Sequence, residues 1–290
     1  MDYESLEELV ASAEEAGLSI GERVLADQTQ ELEQPKALVY QRMDDSLAVM
    51  EVSVRHGKNK DIRSTSGLTG GDAWKMEQYA LGGGICGEFM SKAVANALAV
   101  AEYNAAMGRI VAAPTAGSCG IMPGALVTLM NERGIAREKV VLSMFTAAAV
   151  GMVIAKKASL SGAQGGCQAE CGAAAAMTAA AVTELMGGSP RAAANACAMA
   201  MKNQLGLACD PVAGLVEIPC IKRNASGVVI ALTSADMALA GIESRIPADE
   251  VIMAMKEIGD TMPCAIRETA KGGLANTPTG KRLREQVFGK

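Results

Sequence analysis

Aromatic residues are scarce in this 290-residue sequence: three phenylalanines, four tyrosines and one tryptophan, 3% of the chain. A β-sandwich or barrel needs β-branched and aromatic residues in alternation, so this composition argues against both. His56 is the single histidine, and it closes a helical stretch, where a solvated helix terminus is a better reading than a catalytic base. Basic charge is not concentrated anywhere. The 27 Lys and Arg are mixed with 32 Asp and Glu for a net charge of −5, leaving no basic stripe for a phosphate backbone, so nucleic acid is not an expected partner. The opening MDYESLEELVASAEEAGLSI carries acids where a secretory signal carries Lys or Arg, and a cytoplasmic location is expected. Long apolar runs are missing too. Val140 to Ala155 and Gly172 to Val182 fall short of the ~18 residues of a membrane span and read as buried helices, so no membrane partner is expected.

What is present is a hydrophobic half, which excludes disorder and a disulfide-held miniprotein. Fifty-two alanines, 31 glycines and 18 methionines fill it. Side chains this small imply closely packed backbones, and the expected fold is all-α, a multi-helix body. Leu6, Leu9, Val10 and Ala13 share one face of a first helix that stops at Gly17, and Ser19 starts a second helical stretch, broken at Pro35 and ending at Gly57. Residues 1–57 are therefore expected to form an N-terminal helical arm. The polar, glycine-rich KNKDIRSTSGLTGGD (58–72) marks the boundary to a body spanning 58–290, one domain because its texture does not change. Further helices are predicted over 88–107, 121–132, 139–157, 170–186, 191–205, 227–240 and 248–258. Between them lie APTAGSCGIMPG (113–124), SGAQGGCQAECG (161–172) and LACDPVAGLVEIPCIKRNASG (207–227), Gly-, Pro- and Cys-rich loops of the kind that build a site in a helical protein.

Eight cysteines in an intracellular chain are not expected to form structural disulfides, so each is core filler, reactive thiol or metal ligand. Cys197, among alanines and methionines in mid-helix, reads as core. Cys167, Cys209 and Cys220 each sit at a chain bend, beside Gly165-Gly166, Asp210-Pro211 and Pro219. Their spacing matches neither zinc ribbons nor ferredoxins, so a three-cysteine metal site and scattered core thiols both stay open on spacing alone. Cys171 lies four residues after Cys167 with no third cysteine close by. Cys86, Cys119 and Cys264 are thiols in tight backbone.

The three loops, together with TMPCAIRETAKGGLA near the end, closely resemble the signature stretches of the iron-sulfur L-serine dehydratases, specifically the α subunit of the two-subunit form. The resemblance runs from about residue 20 to residue 275. It implies that Cys167, Cys209 and Cys220 hold a [4Fe-4S] cluster, that Cys171 and Cys197 do not, and that one iron has no protein thiolate. Such an open position on a Lewis acid is catalytic rather than structural. Single-chain members end in a cysteine-bearing tail that can cap this iron, whereas this chain ends REQVFGK.

The implied reaction, a step of amino-acid degradation feeding gluconeogenesis, takes L-serine to pyruvate and ammonia without pyridoxal phosphate. Iron on the hydroxyl and carboxylate oxygens assists departure of water and loss of the Cα proton. Thr115, Gly117 and Ser118 are candidates for the substrate carboxylate, because glycines there expose backbone N–H groups ahead of a helix; a tight helix-helix turn is the competing reading, and the resemblance favours substrate contact. Ser64, Thr65, Ser66 and Thr69 pose the same choice. Glu170, Asp210 and Asn224 flank the three cysteines and are expected to orient them or hydrogen-bond the cluster, with an Asx-turn the alternative for Asp210. The general base is unassigned and is expected on a companion β subunit, with 58–72 and Gly82–Gly84 as contact candidates. Rival readings are a related hydro-lyase or desulfidase acting on another small hydroxy or thiol acid, and a non-catalytic helical scaffold subunit.

Overall fold

The computed structural model describes residues 3–289. Among them there are thirteen α-helices and no β-strand, the one strand-like feature being an isolated parallel bridge between Cys209 and Arg267. The chain runs α1 (Leu6–Ala16), α2 (Ile20–Glu31), α3 (Lys36–Gly57), α4 (Asp72–Ala80), α5 (Gly87–Ala105), α6 (Ile121–Arg133) and α7 (Arg137–Lys157). A single turn, α8 (Gly162–Gly165), and a π-helical turn (Gln168–Gly172) then lead into α9 (Ala173–Leu185), α10 (Pro190–Lys202), α11 (Cys220–Leu239), α12 (Ala248–Thr261) and α13 (Pro278–Phe288).

Local chemistry sets many of these boundaries. The Ser5 hydroxyl accepts from Glu8 N and opens α1, and Gly17 closes it in the left-handed region at φ 64°. Ser19 and Glu22 form a reciprocal capping box at the start of α2. Ser189 caps α10 with Pro190 in the first turn. The sequence reading misplaced other boundaries. α11 begins at Cys220, not at 227, because Pro219 sets the start while the polar Lys222-Arg223-Asn224 hides the helical period. α4 and α13 were not anticipated.

The core follows from the small side chains. Ala173 to Ala176 and Ala179 to Ala181 of α9 are fully buried where that helix packs against α6, α7, α10 and α11. α5 places Ala93, Ala95, Ala97 and Ala99 in the same way against its neighbours α3, α4, α6 and α11. A methyl group keeps helix axes close, and at one crossing even a methyl is too large: a Cβ on Gly57 of α3 would overlap the Ala99 carbonyl of α5. α7 is long and apolar enough to cross a membrane by length and composition, but 67% of that stretch is buried and the helix packs against α2 and α9 as a core element.

The first three helices share this core. Leu6, Leu9, Val24, Leu47 and Met50 belong to one apolar cluster with Leu126, Phe145 and Met201. Glu184 of α9 reinforces the junction by accepting from the backbone N–H of Ile20 and Gly21 and from the Thr146 hydroxyl. The 58–72 segment is tied down rather than loose: Ser66 and Thr69 donate to the buried carboxylate of Glu217 at 2.9 and 2.8 Å, which leaves that charge satisfied. The loop after α4 stands out instead, with Ile85 96% exposed.

Candidate active site

Four segments meet at one end of α9: the turn before α6, the 161–172 stretch, the 207–224 stretch and the chain from Met262 to Asn276. Cys167 opens the π-helical turn, and Cys220 is the first residue of α11. Cys209 lies in extended backbone, donating its N–H to Ile266 O at 2.9 Å while its carbonyl accepts from Glu268 N at 2.7 Å. All three side chains are buried, and Cys167, Cys171 and Cys209 share a small apolar cluster with Ile121 and Ala174.

Their electrostatics tie them together. Burial pushes the Cys220 thiol up to about 12, and charge on Cys167 and Glu170 adds to that. Cys209 is raised for the same reasons, burial first, then Glu170, Cys167 and Cys220. Cys167 goes the other way: its sulfur lies 3.4 Å from Cys171 Sγ, and a hydrogen bond from Cys171 together with the Arg223 charge outweighs its burial. Cys171, fully buried beside Cys167, keeps its proton well above the usual thiol range.

Cys209 and Cys220 resist ionisation through burial first and neighbouring negative charge second, while Cys167 is held lower, and a cationic group at this point relieves the first two and suits the third. Among the described residues, no three such side chains converge tightly enough for a single metal ion. A cluster makes a different demand, since its thiolates attach to separate irons and must be spread around it. Three buried cysteines on separate segments fit that arrangement.

The other predicted residues gather at the rim. The Thr115 hydroxyl donates to Glu170 Oε1 at 3.0 Å and lies 3.2 Å from the Ser118 hydroxyl. The second oxygen of Glu170 accepts from Cys209 Sγ at 3.7 Å, and burial raises this carboxyl despite the Thr115 bond. Two glycines leave room for it: a Cβ on Gly162 would come within 2.6 Å of Glu170 Oε2 and 3.0 Å of Cys209 Sγ, and one on Gly117 within 3.3 Å of Glu170 Oε1. Ser118 is fully buried, so of the three candidates only Thr115 and Gly117, on either side of the exposed Ala116, are accessible. Asn224 accepts from Gly120 N at 2.8 Å and donates to Gly117 O at 2.8 Å and Cys220 O at 2.9 Å, fixing the Thr115 turn to the helix of Cys220. Asp210 does not close an Asx-turn. It accepts from Arg223 at 2.9 Å and from Leu274 N at 2.8 Å, while Val212 N donates to Ile218 O.

A cleft of about 510 Å³ borders this turn, lined by Thr65, Ser66, Asn104, Ala116, Glu217 and Phe288 among others. His56 is exposed and stacks on Tyr103 with ring centroids 5.6 Å apart. Cys119 and Cys197 are buried core thiols, each raised to about 12 chiefly by burial, and Cys86 and Cys264 are exposed.

The family model for the serine dehydratase alpha chain matches residues 15–275, which takes in three of the convergent segments whole and the fourth up to its last residue but one. This chain belongs to the serine dehydratase alpha-chain family. It is 49% identical over 288 residues to the probable L-serine dehydratase alpha chain of Bacillus subtilis, covering 99% of this chain and 96% of that one. The L-serine dehydratase alpha chain of Peptoniphilus asaccharolyticus is 43% identical over 282 residues, 97% of each. A longer relative, the L-serine dehydratase of Streptomyces coelicolor, is 49% identical over 181 residues, 62% of this chain and 40% of its own length.

Sequence reasoning about this alpha chain missed three site residues. Arg223 was passed over, although its position one turn after Cys220, behind a proline start, is a signal that finds it. Gly162 matters only through contacts made in three dimensions. Glu217 reads as an ordinary acid until Ser66 and Thr69 are seen to point at it.

Proposed function

We propose that this chain is the cluster-bearing subunit of an L-serine dehydratase, a lyase that removes water from L-serine to give aminoacrylate, which hydrolyses to pyruvate and ammonia. The observation that carries the reading is the meeting of Cys167, Cys209 and Cys220 beside the Thr115–Glu170 pair. Two relatives of matching length, both named L-serine dehydratase alpha chain, support it. When bound by the three thiolates, a [4Fe-4S] cluster supplies an iron without a protein ligand, a Lewis acid for the serine hydroxyl and carboxylate.

The chain's own residues prepare that chemistry. The backbone of Gly117, in the turn that Thr115 holds in place, binds the substrate carboxylate at the rim. Glu170 fixes the Thr115 hydroxyl, and Asn224 holds the turn at a set distance from Cys220. Burial of the three thiols keeps water from their sulfurs. Lys222, next to the cysteine helix start, is exposed and paired with Asp72, which gives no support to a Schiff-base mechanism. The reaction is independent of pyridoxal phosphate and takes place in the cytoplasm.

The proton acceptor comes from a companion β chain. His56 is engaged with Tyr103 on the exterior, and the longer Streptomyces relative has the additional length that such a part would occupy. Pyruvate release tests the reading in the anaerobically loaded chain, alone and with its β chain, offered serine, threonine, cysteine and malate in parallel. Serine turnover that requires both chains, decays in air and returns with ferrous iron and a thiol reductant is the expected result. Faster turnover of malate or cysteine indicates the related hydro-lyase or desulfidase, and a chain that takes up neither iron nor sulfide is a scaffold.

A further inference from the structure

Arg223 ties the helix of Cys220 to both sides of Cys209. It sits on α11 one turn after Cys220. Its Nη1 donates to the carbonyl of Ala208, just before Cys209, at 2.7 Å, and its Nη2 donates to Asp210, just after Cys209, at 2.9 Å. The positive charge of the same guanidinium bears on Cys167 and helps to hold that thiol below its usual range. Asp210 extends the connection by accepting from Leu274 N, so the fourth segment is held as well.

The Arg223–Asp210 pair is largely buried, with side chains 17% and 7% exposed. A buried ion pair is retained at a cost in desolvation, and it is a poor way to gain stability alone. Here one side chain donates to acceptors on both sides of Cys209 at once, which the planar guanidinium fork does and a lysine ammonium does not. The placement also brings a fixed positive charge to a pocket of thiols.

We propose that Arg223 is a positioning residue that locks the segments of Cys209 and Cys220 together in a cluster-accepting arrangement and remains beside the bound cluster as a fixed cation. The inference rests on Cys167, Cys209 and Cys220 being the ligands. Arg223→Met removes the charge and the fork at similar length, whereas Arg223→Lys keeps the charge and one direction of contact.

Both variants and the unsubstituted chain are purified under argon, and three quantities are read: iron and sulfide per chain, the rate at which a chelator bleaches the cluster absorbance, and the reduction potential. Far-UV circular dichroism confirms the helical fold. Cluster release is expected to be about 10- to 100-fold faster in Arg223→Met and intermediate in Arg223→Lys, the scale of losses at groups that orient metal ligands. The potential is expected to fall in Arg223→Met and to hold in Arg223→Lys, because a nearby charge tunes a cluster in a way that packing alone does not. If Arg223→Met does not fold, Arg223→Lys carries the test through its release rate. Release at the unsubstituted rate in each variant that folds overturns the clamp alone. An unsubstituted chain that takes up no iron and sulfide overturns the cluster reading and the clamp with it.

Discussion

Thr115 and Glu170, 55 residues apart, are joined by a 3.0 Å hydrogen bond from hydroxyl to carboxylate, and the other oxygen of that carboxylate faces Cys209. This contact sets the Thr115 turn against the Cys209 segment. Thr115→Val preserves the shape and removes the donor. The bond lost is the one to Glu170 that holds the turn, and losing a hydrogen bond to an acidic group costs about 1.5 kcal/mol, roughly tenfold in how well the turn is presented to substrate. The KM for serine is expected to rise by that factor with iron content unchanged, and an unaltered KM contradicts the assignment.

Gly162 tests the same spacing by addition. The extra methyl of Gly162→Ala meets Glu170 Oε2 and Cys209 Sγ at distances that oblige both to shift. Iron per chain and serine turnover are expected to fall together, while the thermal midpoint changes little, since the site lies at the end of the helix bundle. Full iron content in this variant contradicts the spacing argument.

Gly57 carries a purely structural expectation. Gly57→Ala pushes a methyl into the Ala99 carbonyl at the α3–α5 crossing, where both neighbours are rigid helix. Overpacking of this kind costs about 1–3 kcal/mol, and urea midpoints measure it. A midpoint equal to that of the unsubstituted protein means that the two helices are less closely packed than described.

Glu184 gives a pH dependence with a definite sign. Burial raises its carboxyl above the ordinary value of 4.5, against the hydrogen bonds from Thr146, Ile20 and Gly21. The folded chain therefore holds this proton at pH values where the unfolded chain has released it. Its favourable contribution is complete below 4.5 and is lost as pH rises through the higher folded value. Over that window the stability of Glu184→Gln is expected to fall less steeply than that of the parent. Parallel urea-midpoint curves contradict this.

Much of the helical framework was legible because caps and periodicity are local. Ser5, Gly17, the Ser19–Glu22 box and Ser189-Pro190 each mark a boundary within a few residues of sequence. α11 was misread at its start because the residues that face the site, Arg223 and Asn224, are polar and interrupt the apolar pattern. The bends at Cys167, Cys209 and Cys220 were visible from glycine and proline. Their meeting was not, because it depends on Asn224 and Arg223 reaching across segments, and no spacing along the chain encodes that. Glu217 illustrates the same limit, since its partners lie about 150 residues earlier in the sequence.

The ligand assignment is tested most directly by counting iron and acid-labile sulfide per chain after anaerobic reconstitution of five single variants. Cys167→Ser, Cys209→Ser and Cys220→Ser are each expected to lose the cluster. Cys197→Ser, in the core of α10, and Cys171→Ser, whose thiol keeps its proton beside Cys167, are expected to retain it. A full complement of iron and sulfide in any of the first three, with loss in Cys171→Ser or Cys197→Ser, contradicts the account.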